Sequence, residues 1–189
     1  MLLSSPMPRY LRIIGLLLTL AIIAINTVFR DPSNLLWMCN MSTLLTGTAL
    51  LLGFRYIALV GATWIIIGWC SWLVNVLVNH TYDETLSYIT HFTFGCVALF
   101  LFFRLPVGRW LWLGCFGWYL FSQLISRFFT PPSENINLAF AIWPGWDGFF
   151  SSYFSFWCFL SSVCLGFLFG VNRVIFIFQN KKSKSNSAN

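Results

Sequence analysis

The sequence predicts an all-α, polytopic membrane protein: a bundle of six transmembrane helices with both termini cytoplasmic. Three observations carry that prediction. Charged residues make up 8% of the 189 and hydrophobic residues 58%, whereas a water-soluble domain carries roughly a quarter charged residues. Apolar stretches recur at the length that crosses a bilayer, about 20 residues. The basic residues fall on alternate connections between those stretches. This composition excludes a cytosolic globule, a disordered chain and a disulfide-stapled secreted miniprotein. The apolar runs are continuous, so an alternating β-barrel is excluded as well.

The first span covers residues 10–28 and follows Arg9 and Arg12. It has the order of a signal peptide, but its apolar run is full length and no A-x-A-like cleavage site follows, so it is expected to be retained. The second span covers 34–53. Phe54 and Arg55 alone separate it from the third, 56–79. The fourth covers 85–103, the fifth 110–129 and the sixth 149–178, the last long enough to tilt or to extend past the membrane. Pro6, Pro8, Pro32, Pro106, Pro131, Pro132 and Pro144 all fall between or just outside these stretches, as they must if the helix interiors keep their backbone hydrogen bonds. Residues 180–189 are polar and basic and are expected to form a disordered cytoplasmic tail.

With the N-terminus inside, the cytoplasmic segments hold Arg9, Arg12, Arg55, Arg104, Arg109, Arg173, Lys181, Lys182 and Lys184, and the outside holds Arg30 and Arg127. Basic residues concentrate on the cytoplasmic side of membrane proteins, so span count and orientation support each other, and a bacterial cytoplasmic membrane is the expected location. The net charge of +6 is spread along this rim, so no nucleic-acid partner is expected. Membrane lipids are. The long outside connection, 130–148, contains Trp143 and Trp146 and is expected to lie at the outer interface. No internal repeat marks the chain as an inverted-repeat transporter, and no Arg, Lys, Asp or Glu sits in mid-span to serve a transport path.

Polar side chains inside hydrocarbon carry a cost, so their depth is informative. At about 1.5 Å of rise per residue, Cys39, Asn75, His91 and Gln123 come to one level in the outer half of the membrane, with Asn26, Asn40 and Ser126 nearby. Such a slab predicts a small polar cavity opening to the outer leaflet. None of the six cysteines forms a CxxC or CxxH. Neither a metal site nor a disulfide framework is expected, and no cofactor. His80 lies in an outside loop beside Asp83 and Glu84, where a solvated role is expected. His91 is the one histidine within a span. Ser87 shares its face at i−4, and Gly95 at i+4 is expected to leave open space beside it.

Cys39 and His91 therefore form a candidate catalytic pair. An imidazole can take a thiol proton, and the thiolate attacks an acyl carbonyl. A side-chain amide from Asn40, Asn75 or Gln123 would bind the oxyanion. At that depth the natural acyl donor is a phospholipid. The alternative is a non-catalytic membrane assembly factor or partner subunit. The GFLFG segment, Gly166 to Gly170, is a small-xxx-small face suited to close helix approach, within the chain or in a homo-oligomer, and Gly61 and Gly68 belong to the same class.

The second span, LLWMCNMSTLLTGTALLLGFR, resembles the cysteine-bearing helix of a family of six-span integral membrane proteins. That family includes uncharacterised bacterial members and a eukaryotic acyltransferase that remodels ether phospholipids. The fourth span, TLSYITHFTFGCVALFLFF, resembles its histidine-bearing helix. The segments TPPSENINLAF and WPGWDGFFSSYFSFW are similar to its asparagine-containing loop and to its tryptophan-rich lead into the last helix. The resemblance spans roughly residues 34–178 and implies a lipid acyltransferase or acyl-ester hydrolase with Cys39 as nucleophile and His91 as its partner. Asn40 stands where many members carry a histidine. More distantly, the chain is similar to the androgen-induced fatty-acid ester hydrolases, which pair threonine with histidine. That likeness makes Thr43, on the same face as Cys39, the alternative nucleophile.

Overall fold

The computed structural model describes residues 6–79 and 85–187, with side chains described for all of these except 75, 78, 79, 85 and 181–187. His80, Asp83 and Glu84, and the side chain of Asn75, lie outside the described residues. Among the described residues the secondary structure is entirely helical. Helix α1 (Arg9–Ala24) continues into a π-helical turn, Ile25–Phe29. A 3₁₀ turn, Pro32–Leu36, leads into α2 (Met38–Leu52). Then come α3 (Arg55–Asn79), α4 (Thr85–Arg104), α5 (Leu111–Phe129), two short 3₁₀ turns (Pro132–Glu134 and Ile136–Leu138) and α6 (Tyr153–Ser187).

Four helical segments are long and apolar enough to cross a membrane: Arg9–Phe29, Arg55–Val74, Leu86–Arg104 and Tyr153–Asn180. Helix α2 is apolar but shorter, because its first turn begins only at Met38, after the Pro32 turn. At about 1.5 Å per residue it rises roughly 22 Å, short of the hydrocarbon thickness of about 30 Å. It ends where the sequence places Gly53, in the left-handed conformation (φ 91°). Phe54 N–H reaches the Ala49 carbonyl at 2.7 Å and Gly53 N–H the Leu50 carbonyl at 3.2 Å. This Schellman arrangement satisfies two of the last carbonyls and turns the chain directly into α3.

The start of α6 differs from the expected Phe149. Ser152 caps the helix: its Oγ accepts from Ser155 N–H at 3.2 Å, while Ser152 N–H donates to Ser155 Oγ at 3.3 Å. This reciprocal pair fixes the first turn at Tyr153. The end of α6 differs as well. The basic segment expected to be disordered is helical to Ser187. Neither proline nor glycine follows Gly170, and extending an existing helix is far easier than nucleating one.

The chain divides after Pro106 into two compact units. In the first, α1 to α4 pack in sequence order, each against the next. Small residues let backbones approach. A Cβ on Gly47 would stand 2.9 Å from the Gly15 carbonyl oxygen, and one on Gly61 would stand 2.6 Å from that of Ser42. Gly61 thus serves internal packing. Leu11, Leu18, Ile22, Leu50, Leu59 and Leu101 are buried within this unit. In the second unit α5 packs on α6 and on the Ile136–Leu138 turn. Large apolar side chains face outward on both units, with Phe103 78% and Phe149 80% exposed. Exposed apolar surface on that scale is unstable in water and at rest in lipid.

Candidate functional site

Cys39 is the second residue of α2, and Gly68 of α3 makes room for it: a Cβ at Gly68 would lie 3.2 Å from Cys39 Cβ. One turn further, Thr43 is fully buried and its Oγ donates to the Cys39 carbonyl at 2.8 Å. Beside the cysteine, Asn40 is held at three points. Its Nδ2 donates to the Asn34 carbonyl at 2.7 Å and to Asn26 Oδ1 at 3.5 Å, and its Oδ1 stands 3.8 Å from Cys39 Sγ, within reach of a weak S–H donor. Asn26, itself fully buried within the π-helical turn, donates from Nδ2 to the Ile22 carbonyl at 2.8 Å. A chain of amides thus runs from α1 to the thiol. Both amide hydrogens of Asn40 are committed within it, so Asn40 is arranged to orient Cys39, not to donate to an oxyanion as the sequence led us to expect.

His91 projects from α4. Its Nδ1 lies 2.9 Å from the Ser87 carbonyl and 3.3 Å from Ser87 Oγ. A carbonyl only accepts, so the 2.9 Å bond places the proton on Nδ1 and leaves Nε2 as the basic nitrogen. The imidazole stacks on Trp72 of α3, with centroids 4.9 Å apart and planes within 5°, and Tyr88 meets the same indole edge-on at 4.9 Å. The space expected beside Gly95 is filled instead. A Cβ there would lie within 2.9 Å of three Trp69 ring atoms. Trp69 and Trp72 are one turn apart on α3, and they fix the azimuth of α4.

These elements form a small, half-open pocket, about 10 Å³ in volume, lined by Cys39, Asn40, Thr43, Ile65, Thr90, His91 and Phe94. The candidate nucleophile, its alternative and the candidate base therefore face one space, between α2, α3 and α4. No charged side chain lines it. Its volume is room for about one water molecule, far less than the sites that engulf whole ligands, about 300–1,000 Å³. Thr90 and Trp72 were missed in the sequence. Thr90 could have been flagged as the neighbour of His91, but nothing in the helical period of α3 marks Trp72 as its stacking partner.

Gln123 is placed differently. It belongs to the second unit and sits at the centre of a polar network. Nε2 donates to Tyr119 Oη at 3.1 Å and to the Asn137 carbonyl at 3.2 Å, and Oε1 accepts from Trp157 Nε1 at 2.7 Å. Ser126 Oγ accepts from Asn137 Nδ2 at 2.8 Å and donates to the Ser122 carbonyl at 2.9 Å. The polar slab is therefore divided. Asn26, Cys39, Asn40 and His91 meet in the first unit, while Gln123 and Ser126 hold the second together. The six cysteines are free thiols, and among the described residues no three His, Cys, Asp or Glu side chains gather to hold a metal.

Comparison of this chain with protein-family models, with curated proteins and with solved structures finds no match.

Proposed function

We propose that the chain is an integral membrane protein of six spans, termini inside, in the bacterial cytoplasmic membrane, and that it acts on lipid acyl esters through Cys39 and His91. The observation that carries the reading is the shared pocket: Cys39 and His91 line it from different helices, and the Nδ1 bond to Ser87 makes Nε2 the basic nitrogen. The resemblance of residues 34–178 to the acyltransferase family points the same way.

In this reaction His91 Nε2 takes the Cys39 thiol proton, and the thiolate adds to the ester carbonyl. The carbon–oxygen bond then breaks, His91 returns the proton to the departing alkoxide, and a lysolipid leaves an acyl thioester on Cys39. A second alcohol, or water, gives its proton to His91 and attacks the thioester. The carbon–sulfur bond breaks and the thiol is restored. Cys39 and Asn40 lie in the first turn of α2, where backbone N–H groups have no intrahelical acceptor. Those groups replace the side-chain amides as oxyanion donors in this reading. Thr43 ranks behind Cys39 as nucleophile, since its hydroxyl proton is engaged by a backbone carbonyl.

The test is labelling of the purified protein with a lipid-like acyl electrophile, with the adduct located by mass spectrometry. We expect an adduct on Cys39, loss in Cys39→Ala and strong slowing in His91→Ala. Equal labelling of all three proteins refutes the catalytic reading.

One observation favours the alternative, a non-catalytic partner subunit or homo-oligomer. Among the described residues nothing lies within 4 Å of where a Cβ on Gly166 or Gly170 would stand, so this small-xxx-small face is not consumed by packing within its own unit. Chemical crosslinking in native membranes tests it, and a monomer throughout counts against it.

A further inference from the structure

The connection between α5 and α6 has two parts of opposite character. From Asn135 to Ala141 its backbone is irregular, with Asn135, Asn137 and Leu138 all at positive φ, yet many of its polar groups are paired from within. Asn135 Oδ1 accepts from Phe140 N–H and Ala141 N–H, each at 2.9 Å, and its Nδ2 donates to the Ala141 carbonyl at 3.1 Å. Tyr153 Oη lies 3.0 Å from the Leu138 carbonyl and 2.8 Å from the Ala139 carbonyl, and Gln123 meets the Asn137 carbonyl. A loop built to lie in water leaves such groups to water. One that lies at membrane depth cannot.

Beyond it, the tip folds into two tight turns, Trp146 N–H to the Trp143 carbonyl and Phe149 N–H to the Trp146 carbonyl, each at 3.0 Å. It presents Trp143, Trp146 and Phe149 outward, 54%, 43% and 80% exposed. The Trp146 indole stacks on Phe150 (6.1 Å, 6° between planes), which stiffens the tip. The Trp146 ring meets Phe159 of α6 at 6.3 Å, and Phe128 and Phe129 of α5 and Phe154 of α6 are exposed as well. At its base the exposed Arg127 places its guanidinium 5.1 Å over the Tyr153 ring.

We propose that this connection is a lipid-docking wedge. Trp143, Trp146 and Phe149 enter the interfacial zone of the outer leaflet, and Arg127 lies at the level of the lipid phosphates. The occupant is phospholipid, not protein, for three reasons: much of the backbone from 135 to 141 is paired internally, tryptophan and arginine are the side chains that settle at a bilayer interface, and the tip adjoins the outward apolar face of α6, where Trp146 meets Phe159. The proposal rests on the membrane reading above and on the expected interfacial position of this connection, to which it adds the residues that enter the lipid and the level of Arg127.

The test uses the full chain in vesicles of phosphatidylethanolamine and phosphatidylglycerol, with p-benzoylphenylalanine replacing Trp143 or Phe149, one at a time. Leu124, exposed on α5, is the control position. After irradiation, a mass increase of one phospholipid at 143 and 149, in yield similar to the control, is the expected result. Chain-to-chain adducts at 143 and 149 overturn the proposal in favour of a second copy on this face. A lipid adduct at Leu124 without one at 143 or 149 also overturns it and leaves the membrane reading standing. No lipid at any of the three positions removes both.

Discussion

Gly61 and Gly166 are both glycines inside long apolar helices, and the structure assigns the same substitution opposite consequences at the two. A Cβ on Gly61 would stand 2.6 Å from the Ser42 carbonyl oxygen and 3.0 Å from Thr46 N, and would also strike Thr46 Oγ1. The first two obstacles are backbone atoms of α2 and cannot rotate away. Ordinary contact begins near 3.4 Å, so α2 and α3 would have to part by about 0.8 Å (3.4 − 2.6). Opening a packed interface by roughly 0.5–1 Å forfeits a quarter to a half of each dispersion contact across it, and overpacking of a rigid core costs about 1–3 kcal/mol. With backbone as the obstacle, Gly61→Ala belongs at the upper end, about 2–3 kcal/mol. That is a fall of roughly 30-fold or more in the folding equilibrium, at about 1.4 kcal/mol per tenfold. At Gly166 a Cβ meets nothing within 4 Å. There, alanine gains up to about 1 kcal/mol of helix propensity and loses no contact. The assay is equilibrium unfolding of the purified protein in mixed micelles by increasing fractions of dodecyl sulfate, followed by circular dichroism. A wild-type midpoint for Gly61→Ala refutes the reasoning. So does a Gly166→Ala loss as large as that of Gly61→Ala, which would mean that the Gly166 face is packed against something.

The remaining predictions separate the two polar clusters. Gln123→Leu removes a side chain that engages Tyr119, the Asn137 carbonyl and Trp157. It should cost about 2 kcal/mol in the same unfolding assay and leave Cys39 labelling unchanged once the folded fractions are matched. Slower labelling at unchanged stability would place Gln123 in the reaction instead. Asn40→Ala breaks the amide chain from Asn26 and Asn34. We expect labelling to stay on Cys39 but to slow several-fold, and an unaltered rate removes the orienting role. Thr43→Val keeps the volume and should keep the labelling; if the adduct disappears, or maps to Thr43 in the wild type, the nucleophile is the threonine. Asp31 lies between α1 and α2, and the Ser33 N–H donating to its Oδ1 at 2.7 Å holds its carboxyl below the usual 3.8. A depressed carboxylate contributes stability above the ordinary value and loses it as the pH falls through the lowered one. Carbon-13 titration should show that depression, and Ser33→Pro, which removes the N–H, should abolish it.

Much of the fold was legible because it follows from quantities read along the chain. The prolines mark where helices cannot run, and Gly53 marks where α2 ends, since only glycine takes its left-handed turn without strain. The boundaries that shifted did so for local reasons that the apolar pattern conceals. Ser152 and Ser155 cap α6 four residues after the apolar run begins, and the tail past Phe178 has no residue to stop the helix. Span number was less legible. Hydropathy merges the Pro32 turn with α2, whereas the backbone must complete that turn before the helix begins, which leaves α2 short.

The sequence by itself determined composition, helical class and the position of each polar group along its helix, because that position is rise per residue multiplied by number and needs no neighbour. Which groups at one depth face one another was left to the tertiary structure. Azimuth depends on how closely helices approach and how they are rotated, and glycine and tryptophan contacts between helices set both here: Gly61 against Ser42, Gly68 against Cys39, Gly95 against Trp69 and His91 against Trp72. Those contacts bring Cys39 and His91 to one pocket and commit Asn40 to Asn26 and Asn34. By contrast, Gln123, which the expected depths placed in the same site, is held by its own ring of partners on α5, α6 and the loop between them.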